Sequence, residues 1–415
     1  MYDSESGFFR EAWRWLRRFD ALQVGALVLL LTFGGVFIRS TGIQAGTAFS
    51  ETIYLRQLFW IGAGTVAFLV LSLYDYRKLI VPSVLFYLFS LFLLVLVLLI
   101  GVRVYGAQRW INIPGISRIQ PSEFVKLAVI LVLSALFSSR MFAIEAEGSP
   151  RWRRRSQLFG LGMAAALVAV PFLLVVRQPD LGSALILVPV GGCIVFVAGI
   201  RWRMLSIICL TAVAVMLLAL LNEFCPRRLI DPETGESSIA YAGIAPQLKD
   251  YQRDRLLIFL DPERDITGRG YNSHQARLAV GSGGWTGKGI GQGTQNLLGF
   301  LPYSISNNDF IFSVIAEETG FLGCLVLFAT YMVLFYTILR TGITASDPFG
   351  RYLCVGVGVM LFTHFFINVG MCIGLAPITG LPLPFVSYGG SFVLTGMSAL
   401  GLVQSVYRHR EDEEE

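Results

Sequence analysis

Apolar stretches long enough to cross a bilayer, which takes about 20 residues of helix, recur along most of this 415-residue chain. They fall near 22–38, 57–73, 80–101, 124–138, 158–176, 181–200, 204–221, 310–339, 352–373 and 386–407. Backbone N–H and C=O groups must be satisfied within such a run, so each predicts a helix. The pattern predicts an all-α polytopic membrane protein with ten transmembrane helices, and 1–415 reads as a single transmembrane domain. Two polar interruptions stand out. Residues 102–123 separate the third and fourth spans, and 222–309 form a large loop between spans seven and eight.

Composition agrees: 54% of residues are hydrophobic and 15% charged, against about 25% charged in soluble domains. Charge also orients the chain. Arg10, Arg14, Arg17, Arg18, Arg77, Lys78, Arg140, Arg151, Arg153, Arg154, Arg155, Arg201, Arg203, Arg340, Arg351, Arg408 and Arg410 flank the spans on one side. The short connections opposite carry Arg39, Arg56, Arg103, Arg109, Arg118 and Arg177. The positive-inside rule therefore sets both termini in the cytoplasm and the loops 102–123 and 222–309 outside. The first apolar run follows a basic segment, as in a signal peptide. No small-x-small site closes it, so it reads as an uncleaved span. Within 8–19, Arg10, Arg14 and Arg17 share one helical face and Phe8, Phe9, Trp13, Leu16 and Phe19 another. Residues 1–21 are thus expected as a cytoplasmic amphipathic N-terminus on the anionic inner leaflet, and 408–415 as a solvated cytoplasmic tail. No basic surface suits nucleic acid.

Ionisable residues gather at span ends. Asp309 closes the long loop where it meets hydrocarbon, in Asn307-Asn308-Asp309-Phe310-Ile311-Phe312. An acid there is costly to place and marks a functional candidate. Glu123 and Lys126 follow Pro121, which suits the first turn of a helix, and are i,i+3 neighbours. They read either as site residues or as a self-neutralising pair that makes insertion tolerable. Arg177 and Asp180 bracket a hinge between spans. Glu317 and Glu318, inside the eighth span, point about 100° apart and read as structural, as does His364 in the ninth. Cys193, Cys209, Cys324, Cys354 and Cys372 lie within spans as apolar packers, and no Cys/His cluster has metal-ligand spacing.

Glycine is dense from Gly268 to Gly299, but no nucleotide motif is met. The P-loop position ahead of Gly287-Lys288 is Ser282, Gly289 follows where Ser or Thr belongs, and Thr286 replaces the third glycine of a dinucleotide fingerprint. The glycines predict compact turns with backbone N–H groups open to a ligand, and Arg277 and Lys288 add positive charge. Plain loop flexibility suits the same composition.

Several segments occur together in order: Gly106-Ala107-Gln108-Arg109-Trp110, Gln120-Pro121-Ser122-Glu123 with Lys126, Gln178-Pro179-Asp180-Leu181-Gly182 and Leu260-Asp261-Pro262-Glu263. They continue with Ala279-Val280-Gly281-Ser282-Gly283-Gly284, Gly287-Lys288-Gly289, Asp309-Phe310-Ile311-Phe312 and Pro382-Leu383-Pro384-Phe385-Val386-Ser387-Tyr388-Gly389-Gly390-Ser391. On these segments, over about 20–408, the chain resembles the SEDS family of bacterial membrane proteins (RodA, FtsW and the sporulation member SpoVE). Gln178-Pro179-Asp180-Leu181 and Gly293-Thr294-Gln295 look more like the elongation members. The family usually writes His-Thr before this acid, where Asn307 and Asn308 stand here.

The resemblance implies a peptidoglycan glycosyltransferase of the bacterial inner (cytoplasmic) membrane. It would polymerise lipid II onto an undecaprenyl-pyrophosphate-linked glycan, beside a class B penicillin-binding protein. Asp309 is then the catalytic residue, and Arg109, Trp110, Glu123, Lys126, Asp180, Arg277 and Lys288 are substrate-binding candidates. A divalent cation, Mg or Mn, is a further candidate near Asp309 or Asp180. An α-linked donor and a β-1,4 product require inversion, with Asp309 taking the proton of the acceptor hydroxyl and cations stabilising the departing pyrophosphate. Glu123 would orient Lys126, and Asp180 would position Arg177 or the acceptor. Two other classes share this architecture: a lipid-linked precursor flippase and a non-catalytic scaffold regulating the penicillin-binding protein. Charges concentrated at the outer span ends, with no evident pair of broken half-helices, argue against the flippase.

Overall fold

The computed structural model describes residues 19–42, 47–104, 107–113, 117–139, 150–200, 206, 227–230, 237–240, 255, 257–262, 265, 267–268 and 270–410. In chain order the elements begin with α1 (Ala21–Thr41), α2 (Thr47–Leu73) and α3 (Pro82–Ile100), then β1 (Val102–Val104), β2 (Ala107–Ile113) and β3 (Ser117–Ile119). α4 (Pro121–Ser138), α5 (Pro150–Arg177) and α6 (Leu181–Val197) follow, then β4 (Arg227–Ile230) and β5 (Ser237–Ala240). The chain continues through α7 (Tyr271–Ser282), α8 (Thr294–Leu297), α9 (Tyr303–Ser306), α10 (Ile311–Ile343), α11 (Pro348–Ile373) and α12 (Gly390–His409). Among the described residues seven helices, α1 to α5, α10 and α11, are long and apolar enough to cross a membrane. The multi-pass helical class is therefore as the sequence predicts. The predicted span at 204–221 and the amphipathic segment before residue 19 lie outside the described residues.

The chain divides into two compact units, Met1–Ala198 with Asn272–Glu415, and Gly199–Tyr271. In the smaller unit β4 and β5 pair antiparallel from Arg227↔Ala240 to Ile230↔Ser237. In the larger, the polar interruption 102–123 carries an antiparallel sheet in the order β1-β2-β3. Strands of three to seven residues are too short to leave a periodic signal beside long apolar runs.

Helix starts follow local chemistry. Asp20 caps α1 by accepting from Leu22 N at 3.1 Å and Gln23 N at 3.4 Å. Asp347 caps α11 through Gly350 N at 3.2 Å, with Pro348 in its first turn. These are the orphan donors that a capping oxygen satisfies. α4 lies at the centre, with Val125, Ala128, Val129, Ile130 and Leu133 fully buried, whereas Leu85, Phe89 and Phe92 of α3 are exposed. Lipid gives no hydrophobic drive between helices, so close packing must hold them. α2 and α12 pack along their lengths because small residues permit it. A Cβ on Gly401 would stand 2.7 Å from Phe68 O, and one on Gly390 would collide with Trp60.

At one end of the bundle Arg340 closes on Asp20 at 2.5 Å, Tyr76 bonds Asp347, and Arg410 Nη1 meets Thr344 Oγ1 at 2.8 Å. Residues 20 and 410 thus lie at the same end.

The eighth predicted span is broken. Gly320 of α10 adopts φ 65° and ψ −162°, a region essentially open to glycine alone. The backbone groups that the break strands are met by the loop 284–289. Lys288 N donates to Glu317 O at 3.0 Å and Gly289 N to Glu318 O at 2.9 Å. Phe321 N and Leu322 N donate to Gly284 O and Trp285 O at 2.8 and 3.1 Å. Gly283 and Gly287 allow the approach, since a Cβ on either would collide with the carbonyl of Ala316 or Glu318. The N–H groups of residues 288 and 289, expected to face a ligand, are instead bonded within the fold. A broken helix buried in protein requires such partners.

Candidate active site

Asp309 sits between α9 and α10, its backbone fastened from two sides. Tyr388 N donates to Asn307 O at 2.9 Å, Ser387 Oγ to Asn308 O at 2.6 Å, and Asn368 Nδ2 to Asp309 O at 2.9 Å. Asn307 and Asn308 thus serve the site through main-chain carbonyls, which any residue supplies. The Asp309 carboxylate lies against Gly380, where φ is +75° and a Cβ would stand 3.4 Å from Oδ2.

Beneath it runs a buried chain. Glu123 Oε2 is 2.7 Å from Lys126 Nζ, and Lys126 Nζ is 2.8 Å from His364 Nε2. Lys126 is 1% exposed and His364 not at all. In this arrangement Lys126 is enclosed, not presented to a pyrophosphate as the sequence suggests. The Phe392 ring packs against the His364 ring, tilted 39° with centroids 4.5 Å apart, and lies under the Lys126 ammonium at 5.5 Å.

Arg109 and Asp180 form a second group. Asp180 is 4% exposed. It caps α6 through Ser183 N at 3.3 Å, accepts from Gln120 Nε2 at 2.8 Å, and pairs with Arg109 Nη1 at 3.6 Å. The expected partner, Arg177, remains exposed at the last turn of α5. Arg109 also donates to the Gln178 and Pro179 carbonyls, so it pins the β2 strand to the α5–α6 turn. Trp110 lies half-buried on β2 opposite Val102.

Lys288 closes on Glu317 at 2.6 Å and on Thr294 Oγ1 at 3.0 Å. Glu318 accepts from Ser40 Oγ at 2.6 Å. Arg277, half-buried on α7, lies against Gly374 at the C-terminal end of α11, where a Cβ would meet its Cδ at 3.1 Å. Of the four candidate cations, Arg277 is the one with no carboxylate at ion-pair distance among the described residues. It shares that helix end with Asp309, whose carbonyl is 3.9 Å from Cys372 Sγ. On the loop before α12, burial pushes the Tyr388 hydroxyl above its ordinary range while Arg56 pulls it the other way. Burial likewise raises Tyr303. Among the described residues no group of three or more His, Cys, Asp or Glu side chains gathers to hold a metal.

Sequence reasoning passed over Asn368, Gln120, Ser391 and the contacts of His364. The signal existed for two of them, because His364 and Asn368 are polar residues at i,i+4 inside an apolar span.

A family profile described as "Cell cycle protein", covering FtsW, RodA and SpoVE, matches residues 21–412. The chain belongs to this family. It is 38% identical over 325 residues to the peptidoglycan glycosyltransferase MrdB of Escherichia coli K12, covering 78% of this chain and 77% of that one. It is 31% identical to the peptidoglycan glycosyltransferase RodA of Treponema pallidum, covering 94% of this chain and 97% of the relative. Against the stage V sporulation protein E of Bacillus subtilis the identity is 33%, with the same coverages. Among solved structures, a chain of a peptidoglycan synthase complex that coordinates polymerization and crosslinking superposes with TM-score 0.71 at 28% identity, over 94% of this chain and 98% of its own. The rod shape determining protein RodA of Thermus thermophilus gives 0.63 at 26%, over 94% and 97%. As an FtsW/RodA/SpoVE protein, the chain is a multi-pass membrane protein.

Proposed function

We propose that this chain is a peptidoglycan glycosyltransferase that polymerises lipid II into β-1,4 glycan strands at the outer face of the bacterial inner membrane. It works beside a class B penicillin-binding protein. The observation that carries the chemistry is the placement of an acid and a cation at one helix end. Asp309 and Arg277 both meet the last turns of α11. Relatives named as peptidoglycan glycosyltransferases over most of their length support the same reaction.

Asp309 accepts the proton of the acceptor hydroxyl as its oxygen attacks the donor's anomeric carbon, a general-base contribution of about 10²–10⁴ in rate. The glycosyl–oxygen bond to pyrophosphate breaks with inversion. The pyrophosphate leaves as an anion and needs no acid to protonate it, unlike the leaving group of a glycoside hydrolase. Arg277 stabilises the charge that develops there, and Lys288 reaches the same charge only by sharing itself with Glu317. Arg109, Asp180, Glu123 and Lys126 hold the elements around the site.

The deciding experiment incubates the full-length chain with lipid II, with and without its penicillin-binding partner, beside Asp309→Asn. Long glycan strands from the wild type, lost in a folded and partner-bound variant, are expected. Strands at normal rate from Asp309→Asn remove Asp309 as base. No strands from a folded, partner-bound wild type shift the function to flippase or scaffold, which lipid II movement in vesicles then separates.

A further inference from the structure

We infer that His364 and Asn368 are positioning residues for glycosyl transfer. One turn apart on α11, they fasten consecutive carbonyls of the loop before α12 and so fix where the Asp309 carboxylate stands. The inference rests on Asp309 being the base.

Residues four apart on a helix lie on one face. Asn368 Nδ2 donates to Asp309 O at 2.9 Å and to Leu381 O at 2.7 Å, so its amide nitrogen bridges the two segments. His364 Nδ1 lies 3.3 Å from Pro382 O, the next carbonyl along. A carbonyl only accepts, so Nδ1 carries the hydrogen and Nε2 accepts from Lys126. The result is a directed network: Lys126 donates to Glu123 and to His364, and His364 donates to Pro382, with Asn368 tying the adjoining Leu381 to Asp309. Gly380, against which the carboxylate lies, is the residue before Leu381.

Both side chains are fully buried. A polar group buried in an apolar span is costly unless bonded, and leucine at either position would cross the membrane as well. Their partners identify what they hold: Asn368 contacts both the base's own residue and the loop facing it. Catalytic groups must be held within about 0.5 Å of the productive geometry, and a displacement of about 1 Å can cost on the order of 10²-fold in rate.

The test measures polymerisation of lipid II by the full-length chain with its partner, separating kcat from KM, together with thermal unfolding. Asn368→Leu is expected to lower kcat on the order of 10²-fold with KM within about twofold, the signature of an interaction made only in the transition state. His364→Gln keeps an acceptor for Lys126 but loses Pro382, and is expected to lower kcat less. The two together should lose less than the product of the single losses, since both act on one loop. If Asn368→Leu fails to fold, Asn368→Ser retains one donor and serves in its place. A folded Asn368 variant with normal kcat, or losses confined to KM, overturns the inference while an inactive Asp309→Asn leaves the base in place. A fully active Asp309→Asn removes the base, and the inference with it.

Discussion

Lys288 Nζ rests 2.6 Å from a Glu317 carboxylate that has no exposed surface. Gln295 N, at 3.1 Å, and Ser282 Oγ, at 3.4 Å, approach the same oxygen. The pair therefore ties the glycine loop to the half of α10 that precedes its break. Lys288→Met leaves a buried carboxylate without its cation, and breaking a buried pair costs about 3–5 kcal/mol, less here because the lysine is 30% exposed. Glu317→Gln keeps the bonds from Gln295 and Ser282 within reach and should destabilise less. Thermal unfolding in detergent ranks the two. If Lys288 served only to meet pyrophosphate, Lys288→Met would unfold like the wild type and lose rate alone.

Gly320 is the second point of that loop's attachment. Its φ of 65° with ψ −162° costs a side chain about 1–3 kcal/mol. A Cβ there would also stand 2.7 Å from the Trp285 carbonyl carbon. Gly320→Ala should lower the unfolding temperature and increase amide exchange at Lys288 and Gly289. Unchanged exchange at those two amides would separate the helix break from the loop.

The span pattern was readable because apolar runs of 18 to 33 residues exceed what any soluble element needs. Asp309, Asp180 and Glu123 were readable as candidates because acids at span ends are expensive. What charge placement does not reveal is partner choice. Lys126 and Arg109 are cations like Arg277, yet one is enclosed by Glu123 and His364 and the other by Gln178, Pro179 and Asp180. The Glu123–Lys126 pair is legible as i,i+3 neighbours, but the other contacts join residues tens to hundreds of positions apart, which no local spacing encodes. The break at Gly320 was equally hidden. Its glycine is ordinary in a transmembrane helix, and its cause is a loop more than thirty residues earlier.

Tyr388 links the site to pH. Its hydroxyl is raised above the ordinary value of 10.0, chiefly by burial, with Arg56 opposing. A group whose pKa is higher folded than unfolded gives stability that is present below the unfolded value and lost as pH rises through the folded one. The tyrosinate absorbance of wild type minus Tyr388→Phe should therefore emerge only above pH 10, and the variant should resist alkaline unfolding better. A difference spectrum centred at pH 10 would mean an ordinary, solvated phenol.

Glu123 and Lys126 separate fold from rate most cleanly. At 2.7 Å, with side chains 5% and 1% exposed, each neutralises the other where water cannot. Lys126→Met should cost about 3–5 kcal/mol by stranding the carboxylate. Glu123→Gln with Lys126→Met replaces both charges and should recover most of that stability, since a buried pair exchanged for neutral groups is often close to neutral. Polymerisation should not recover with it, because His364 Nε2 still lacks the donor that orients its ring toward Pro382. Unfolding temperature and kcat measured on the single and double variants test this directly. If the double variant regains both, the pair serves insertion alone. If it regains stability with kcat still depressed, Lys126 acts on the reaction through His364.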